Sequence, residues 1–245
     1  MKILVCISVV PDTTTKITFT ENNTKFNEVG VQFIINPYDE LALTKALEIA
    51  EANNGTVTAI HVGPANNDAN LRKALAIGAN DAVRIDKTAA DAQDVAQEIA
   101  YYAKAENFDI ILTGRESIDY NSGQVCGLIG ALLNIPSINV VTKCEFNGNI
   151  ASLERDIDGG REQITVKTPF VASAQKDLVV PRIPNMRGIT AARTKPLIVL
   201  AATYDAILSI HQKYELPLPK ASVKMIPAEN AEELIRLLRE EAKII

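Results

Sequence analysis

The feature that most constrains this chain is a series of apolar runs too continuous to be half wet, alternating with segments of helical period. Ile3-Leu4-Val5-Cys6-Ile7-Ser8-Val9-Val10 is stopped by Pro11-Asp12. A strand with one solvated face would alternate polar and apolar residues, so this run suits a strand buried on both faces of a parallel sheet. Residues 12 to 30, rich in Thr and Asn with weak alternation around Ile17 and Phe19, read as a hairpin or edge excursion. From Asp39 to Asn53, Leu43, Leu47 and Ala50 fall at helical spacing, with Asp39 placed as N-cap and Gly55 as stop. A strand over Thr56 to Val62 follows. A second helix, capped by Asn67 or Asp68, carries Leu71, Ala74 and Leu75 and ends at Gly78 before a strand over Ala82 to Ile85. A third, from about Ala90 to Ala105, leads into the apolar run Phe108 to Thr113; Ser122 to Leu133 reads as helix, and Val140-Val141 begins a strand. Such alternation over the first 140 residues predicts an α/β fold, a doubly wound and mostly parallel sheet with right-handed crossovers.

Beyond residue 145 the pattern changes. Residues 145 to 175 read as consecutive antiparallel strands around the Asp158-Gly159-Gly160 turn, an antiparallel extension of the sheet. Residues 180 to 196 have little periodicity, hold Pro181, Pro184 and Gly188 beside four basic side chains, and read as an exposed loop. After Leu197 to Leu200 come Pro217, Pro219 and Pro227, then a charged helix from Ala231 to about Lys243 with Leu234, Leu237 and Leu238 on one stripe. The domain reading is therefore an α/β nucleotide-binding body over 1–196, including the loop 180–196, and a C-terminal arm over 197–245. An arm of this kind cannot bury its own stripe, so it is expected to lie on a partner subunit.

Composition removes other classes. The 245 residues carry 25 basic and 30 acidic side chains, a net charge of −5, which gives no general attraction to nucleic acid. No apolar run approaches the roughly 18 residues of a membrane span, and no small-residue cleavage site follows the opening run, so a soluble, cytoplasmic chain is expected. Cys6, Cys126 and Cys144 lie far apart with only His61 and His211 beside them, too few ligands for zinc or an iron–sulfur cluster. His61, within a strand, reads as structural, and His211, in the arm, as surface. Walker, GxGxxG, GxSxG and HExxH motifs are all missing, and Asp156 and Asp158 flank a turn. No catalytic residue is expected of this chain, so any redox chemistry must come from a bound cofactor.

In an open parallel sheet, ligands bind at the carboxyl ends of the strands. Four segments follow predicted strands there: Val9 to Asp12, Asn36 to Asp39, Val62 to Pro64, and Gly114 to Val125. The last enters its helix through Ser122-Gly123-Gln124-Val125, which aims free backbone N–H groups and the positive end of the helix dipole at an anion, with phosphate the expected occupant. The plainer alternative makes Ser122 an ordinary N-cap. In the basic loop, Pro181 to Ile189, an apolar tip ringed by arginines could dock in a partner's pocket while the cations steer an acidic surface. Ile183 and Met186 could equally fold back onto their own domain.

Seven segments in order, KILVCISVVPD, INPYDELALTKALEI, HVGPA, LRKALAIGAND, ILTGRESID, LERDIDGG and PRIPNMRGITAARTKP, resemble the β subunit of electron transfer flavoprotein, and the match runs from residue 1 to the arm. The resemblance implies an αβ heterodimer with FAD held mainly by the α subunit at the interface and AMP bound in the β subunit. It also implies electron flow from acyl-CoA dehydrogenases or related flavoenzymes to a quinone oxidoreductase or another acceptor. By position it implies a nucleotide pocket of Cys6, Asn36, Pro37, Tyr38, Asp39, Val62, Gly114, Arg115, Asp119, Asn121, Ser122, Gly123, Gln124 and Val125. It implies partner docking through Arg182, Met186, Arg187 and Ile189, with Met186 where the family usually has leucine. Bifurcating members hold a second FAD in the β site, where NADH is oxidised. Val10-Pro11-Asp12-Thr13 is similar to that branch, whereas Tyr120-Asn121-Ser122-Gly123 departs from its Asp-Gly-Asp-Thr loop, and the simple carrier is favoured. A nucleotide-binding sensor of the universal-stress type, a homodimer with no use for arm or basic loop, is the third reading.

Overall fold

The computed structural model describes residues 1–204, 208–219 and 222–245. The opening apolar run forms β1 (Lys2–Cys6), whose side chains alternate between two cores. Ile3 and Val5 pack with Leu43 and Leu47 of α1 (Pro37–Ala52) and with Leu71 and Leu75 of α2 (Asp68–Ile77). Leu4 and Cys6 pack instead with Ile99 and Ala103 of α3 (Ala92–Glu106) and Ile129 of α4 (Val125–Leu133). Helices thus cover both faces, and for this reason the run lacks polar alternation.

The remaining strands are β2 (Val9–Pro11), β3 (Phe19–Thr20), β4 (Lys25–Phe26), β5 (Phe33–Ile35), β6 (Thr56–Val62), β7 (Asp81–Asp86), β8 (Ile110–Gly114), β9 (Ser137–Asn147), β10 (Ile150–Ile157), β11 (Gly160–Lys167), β12 (Phe170–Ala174) and β13 (Leu197–Ala201). Eight of them join β1 in one sheet, in the order β11-β10-β9-β12-β8-β1-β6-β7-β13. From β12 to β13 every pairing is parallel, as is that of β9 with β12. The chain runs from β1 outward to β6 and β7, then returns to β8 on the other side of β1. The switch point, where an open sheet offers a crevice, therefore lies at the carboxyl ends of β1 and β8.

Several expectations change. The opening run breaks at Ser8, beyond which β2 leaves the sheet to pair antiparallel with β5. Asp39 does not cap α1: Asn36 holds that place, its carbonyl taking the Asp39 and Glu40 N–H groups, with Pro37 in the first turn where a missing N–H costs nothing. Helix α4 begins at Val125, three residues after Ser122, so Ser122 is not its N-cap. The antiparallel reading of 145–175 holds for β9, β10 and β11 but fails for β12, which enters parallel between β8 and β9. Its five residues, Phe-Val-Ala-Ser-Ala, are all buried, as a strand covered on both faces must be. Within 180–196, a cap by the Asn185 carboxamide on the Gly188 N–H at 2.8 Å opens a short helix, α5 (Met186–Ala192).

The boundary at 196/197 also moves. β13 extends the sheet beside β7, and the buried Glu98 carboxylate then accepts hydrogen bonds from Thr203 N, Thr203 Oγ1 and Tyr204 N. The compact body comprises Met1–Thr18 and Asn27–His211. A second unit comprises Phe19–Phe26 and Gln212–Ile245. In that unit β3 and β4 form a small hairpin, the Phe19 ring stacks on Tyr214 at 5.0 Å, and α6 (Ala231–Arg236) continues as a π-helical turn through Glu241. None of residues 228–245 is buried, so the Leu234, Leu237 and Leu238 stripe has no complete cover among the described residues. Among the described residues no helix is long and apolar enough to cross a membrane.

Candidate functional site

At the switch point, the start of α1 lies against the ends of β1 and β8. The Asp39 carboxylate is buried there and accepts three hydrogen bonds: Ser8 N at 2.7 Å and Ser8 Oγ at 2.5 Å on one oxygen, Gly114 N at 2.9 Å on the other. Burial raises its pKa to about 6, although the bonds from Ser8, Asn36 and Gly114 pull it down. Gly114 has to be glycine, since a β-carbon there would lie 2.2 Å from Asp39 Oδ1. Asn36, fully buried, ties down the next stretch of chain: its amide donates to Glu116 O at 2.9 Å, and its carbonyl oxygen accepts from Ile118 N at 3.3 Å.

Asn36 and Asp39 therefore face inward, as fasteners of the crevice wall, while Pro37 is exposed and Tyr38 half-buried. Cys6 is buried beneath them, its thiol pushed well up by burial and then by the charge of Asp39. Val62 ends β6 in the same layer, followed by Gly63, where a β-carbon would lie 2.1 Å from the His61 imidazole. His61 is a structural residue. Asn67 Nδ2 lies 2.9 Å from its Nε2, which leaves the Nδ1 proton to donate to Ile7 O at 2.8 Å, and burial lowers its pKa.

The outer wall is the loop from Arg115 to Gln124. Arg115 to Ile118 are half-buried, and Asp119 to Gln124 are exposed. Asn121 at φ 51° and Gly123 at φ 59° turn the backbone through left-handed conformations. Asn121 N closes onto Ser117 O at 2.8 Å, and the next inward bond is Leu128 N to Gln124 O at 3.0 Å. Between them, the N–H groups from Ser122 to Gly127 have no acceptor among the described residues. Successive free N–H groups at a left-handed turn and a helix start are donors of the kind that in general favour an anion.

Two contributors were not singled out from the sequence. Ser8 supplies two of the donors to Asp39; a lone serine within an apolar run was its signal. Arg84, buried in β7, bonds Asp68 Oδ1, Asp86 Oδ1 and Gly63 O, fixing the end of β6. An arginine in a doubly covered strand pointed to such internal pairing.

The basic loop is exposed at its tip: Ile183 is 88%, Met186 76% and Ile189 41% accessible. Its cations are not equivalent. Arg182 is committed to a bidentate pair with Glu51, at 2.6 and 2.8 Å, so it is not a free steering charge. Lys195 donates to the carbonyls of Leu75 and Ala79 at the end of α2, while Arg72 of α2 donates to Ala192 O and Lys195 O. Arg187 and Arg193 are in no ion pair among the described residues.

Residues 23–205 match the family model described as the electron transfer flavoprotein domain. The chain is 39% identical over 236 residues to an electron transfer flavoprotein subunit beta of Bacillus subtilis, covering 90% of this chain and 91% of that one. It is 36% identical over 238 residues to the subunit of that name from Syntrophomonas wolfei, covering 96% and 92%. It is also 32% identical over 215 residues, 84% and 79% of the two chains, to the acryloyl-CoA reductase electron transfer subunit gamma of Anaerotignum propionicum. A parallel sheet with its crevice between β1 and β8, and a match of this extent, place the chain in the electron transfer flavoprotein β-subunit family.

Proposed function

We propose that the chain is the β subunit of a heterodimeric electron carrier, pairing with an electron transfer flavoprotein α subunit and holding AMP at the switch point. The observation that carries the nucleotide reading is the row of N–H groups without acceptors, Ser122 to Gly127, at the entry to α4. Six such groups suit a phosphate far better than a neutral ligand. Gly123 leaves room for it, because the nearest atom to a β-carbon there would be Arg115 O at 3.6 Å. FAD, bound at the interface mainly by the α subunit, supplies the redox chemistry, taking up and releasing electrons one or two at a time. This chain's part is to hold AMP, support that interface through the arm, and present Met186 and Ile189 to an acyl-CoA dehydrogenase or related flavoenzyme. A quinone oxidoreductase or another acceptor then takes the electrons.

A second reading, a bifurcating enzyme with a second FAD in the β site that oxidises NADH, draws on the segment Val10-Pro11-Asp12-Thr13. Family membership disfavours the universal-stress-type sensor. Co-expression with the α subunit, followed by ligand extraction, separates the readings. One FAD and one AMP per heterodimer are expected. Two FAD and no AMP would establish the bifurcating reading instead, and a flavin-free homodimer would overturn both.

A further inference from the structure

The nucleotide loop has no core of its own, and its placement depends on two side chains at the start of α1, those of its capping residue Asn36 and of Asp39. Asp39 joins the turn after β1, through Ser8 N and Oγ, to the end of β8, through Gly114 N. One turn away, Asn36 receives Ile118 N, donates to Glu116 O, and gives its own N–H to Ser8 O at 3.0 Å. Neither side chain is accessible to a ligand in the crevice. We propose that Asp39 is a positioning residue of the nucleotide site, whose ionised carboxylate holds the loops after β1 and β8 in the geometry that receives the phosphate, so that nucleotide retention follows its charge. This rests on the nucleotide reading given above.

The chemistry of the three donors explains why charge matters. Ser8 N and Gly114 N are backbone groups that can only donate, and each approaches a different oxygen of Asp39. A carboxylate accepts both. A protonated carboxyl must place its own hydrogen on one oxygen; Ser8 Oγ can turn to accept it, but the backbone donors then face a weaker acceptor. An asparagine is worse still, since its NH2 must oppose either Ser8 N or Gly114 N. The groups facing the carboxylate are Ser8 from the turn after β1, Gly114 from β8, Asn36 from the start of α1, and the neutral thiol of Cys6 below. Among the described residues no cation pairs with Asp39, so hydrogen bonds are what offsets its burial, and its pKa of about 6 brings the change of charge close to neutrality.

Stability and binding should then move in opposite directions with pH. The native pKa lies above the usual carboxylate range, so between roughly pH 4 and 6 the folded state holds more protons than the unfolded one, and this group's contribution to stability declines as pH rises through that window. Nucleotide affinity should rise across it. A residue with a merely structural role would move both quantities together.

The test measures AMP affinity and denaturant midpoint on the co-expressed heterodimer, stripped of nucleotide, from about pH 5 to about pH 7.5, for wild type, Asp39→Asn and Ser8→Ala. AMP's own second ionisation affects all three proteins alike, so the difference between profiles is read. Wild type is expected to gain about tenfold more affinity than Asp39→Asn across the range, while its midpoint falls relative to that variant. Ser8→Ala, which removes one donor to the carboxylate, should shift the wild-type inflection to higher pH; it also keeps the test available should Asp39→Asn fail to assemble. Parallel affinity profiles, or an unmoved inflection in Ser8→Ala, would overturn the positioning role with the nucleotide site intact. Absence of AMP binding by wild type at every pH would overturn the site itself.

Discussion

Gly188 of α5 rests directly on the Ala76 carbonyl of α2: a β-carbon at 188 would lie 2.3 Å from that oxygen. Arg72 of α2 bonds Ala192 O at the end of α5, and Lys195, just beyond α5, bonds Leu75 O and Ala79 O at the end of α2, so together with this contact they fix the angle at which Met186 is presented. Gly188→Ala cannot be accommodated by a side-chain movement, because its obstacle is backbone. The expected cost is about 1 to 3 kcal/mol, seen as a lower melting temperature, with slower electron uptake from the dehydrogenase and unchanged AMP content. An unchanged melting temperature would contradict this contact.

Met186 is mostly exposed, so its loss should leave the fold alone. Met186→Asp is predicted to weaken productive docking by about 2 kcal/mol or more, the scale of an interface hot spot, with flavin content intact. Stopped-flow reduction by the dehydrogenase measures this directly, and equal rates would remove Met186 from the interface.

The arginines should divide. Arg187 is in no ion pair among the described residues, so Arg187→Ala should lower the association rate and flatten its dependence on salt. Arg182 is already paired with Glu51, on the surface, where such a pair contributes about 0 to 1 kcal/mol. Arg182→Ala should therefore leave the salt dependence almost as in wild type. The reverse order in a salt series would show that the Glu51 pair opens on docking.

All three thiols are buried, and burial pushes those of Cys126 and Cys144 up to about 12. None should react with iodoacetamide near pH 8 in the native protein, and all three should after denaturation. Mass spectrometry of the alkylated chain decides, and rapid native labelling of Cys6 would mean that the floor of the crevice opens.

Much of this is legible from the chain because two-sided burial leaves a plain mark: Ile3 to Ile7 and Ile110 to Leu112 do not alternate, and they form the neighbouring central strands β1 and β8. The same signal was present in Phe170 to Ala174 but was submerged by the alternating hairpins before it, so a parallel strand read as antiparallel. The arm boundary was set too early because Leu197 to Ala201, half-exposed at the sheet edge, is supported by β7 and not by a pattern of its own. Strand ends and resemblance point to candidate site residues, but position along the chain says nothing about where a side chain points. Asn36 and Asp39 turn inward to fasten the stretch from Gly114 to Ile118, and Arg182 is held by Glu51, a residue 131 positions away. Relations of that kind arise only when the chain has folded.

The central claim is that the N–H groups at the entry to α4 hold a nucleotide phosphate, and hydrogen exchange of the stripped heterodimer with and without AMP tests it most directly. Amides from Ser122 to Gly127, which have no acceptor among the described residues, should exchange quickly without AMP and become strongly protected with it, while the loop around Met186 stays unchanged. Equal exchange of that segment in the two samples, or protection confined to another part of the chain, would contradict the account.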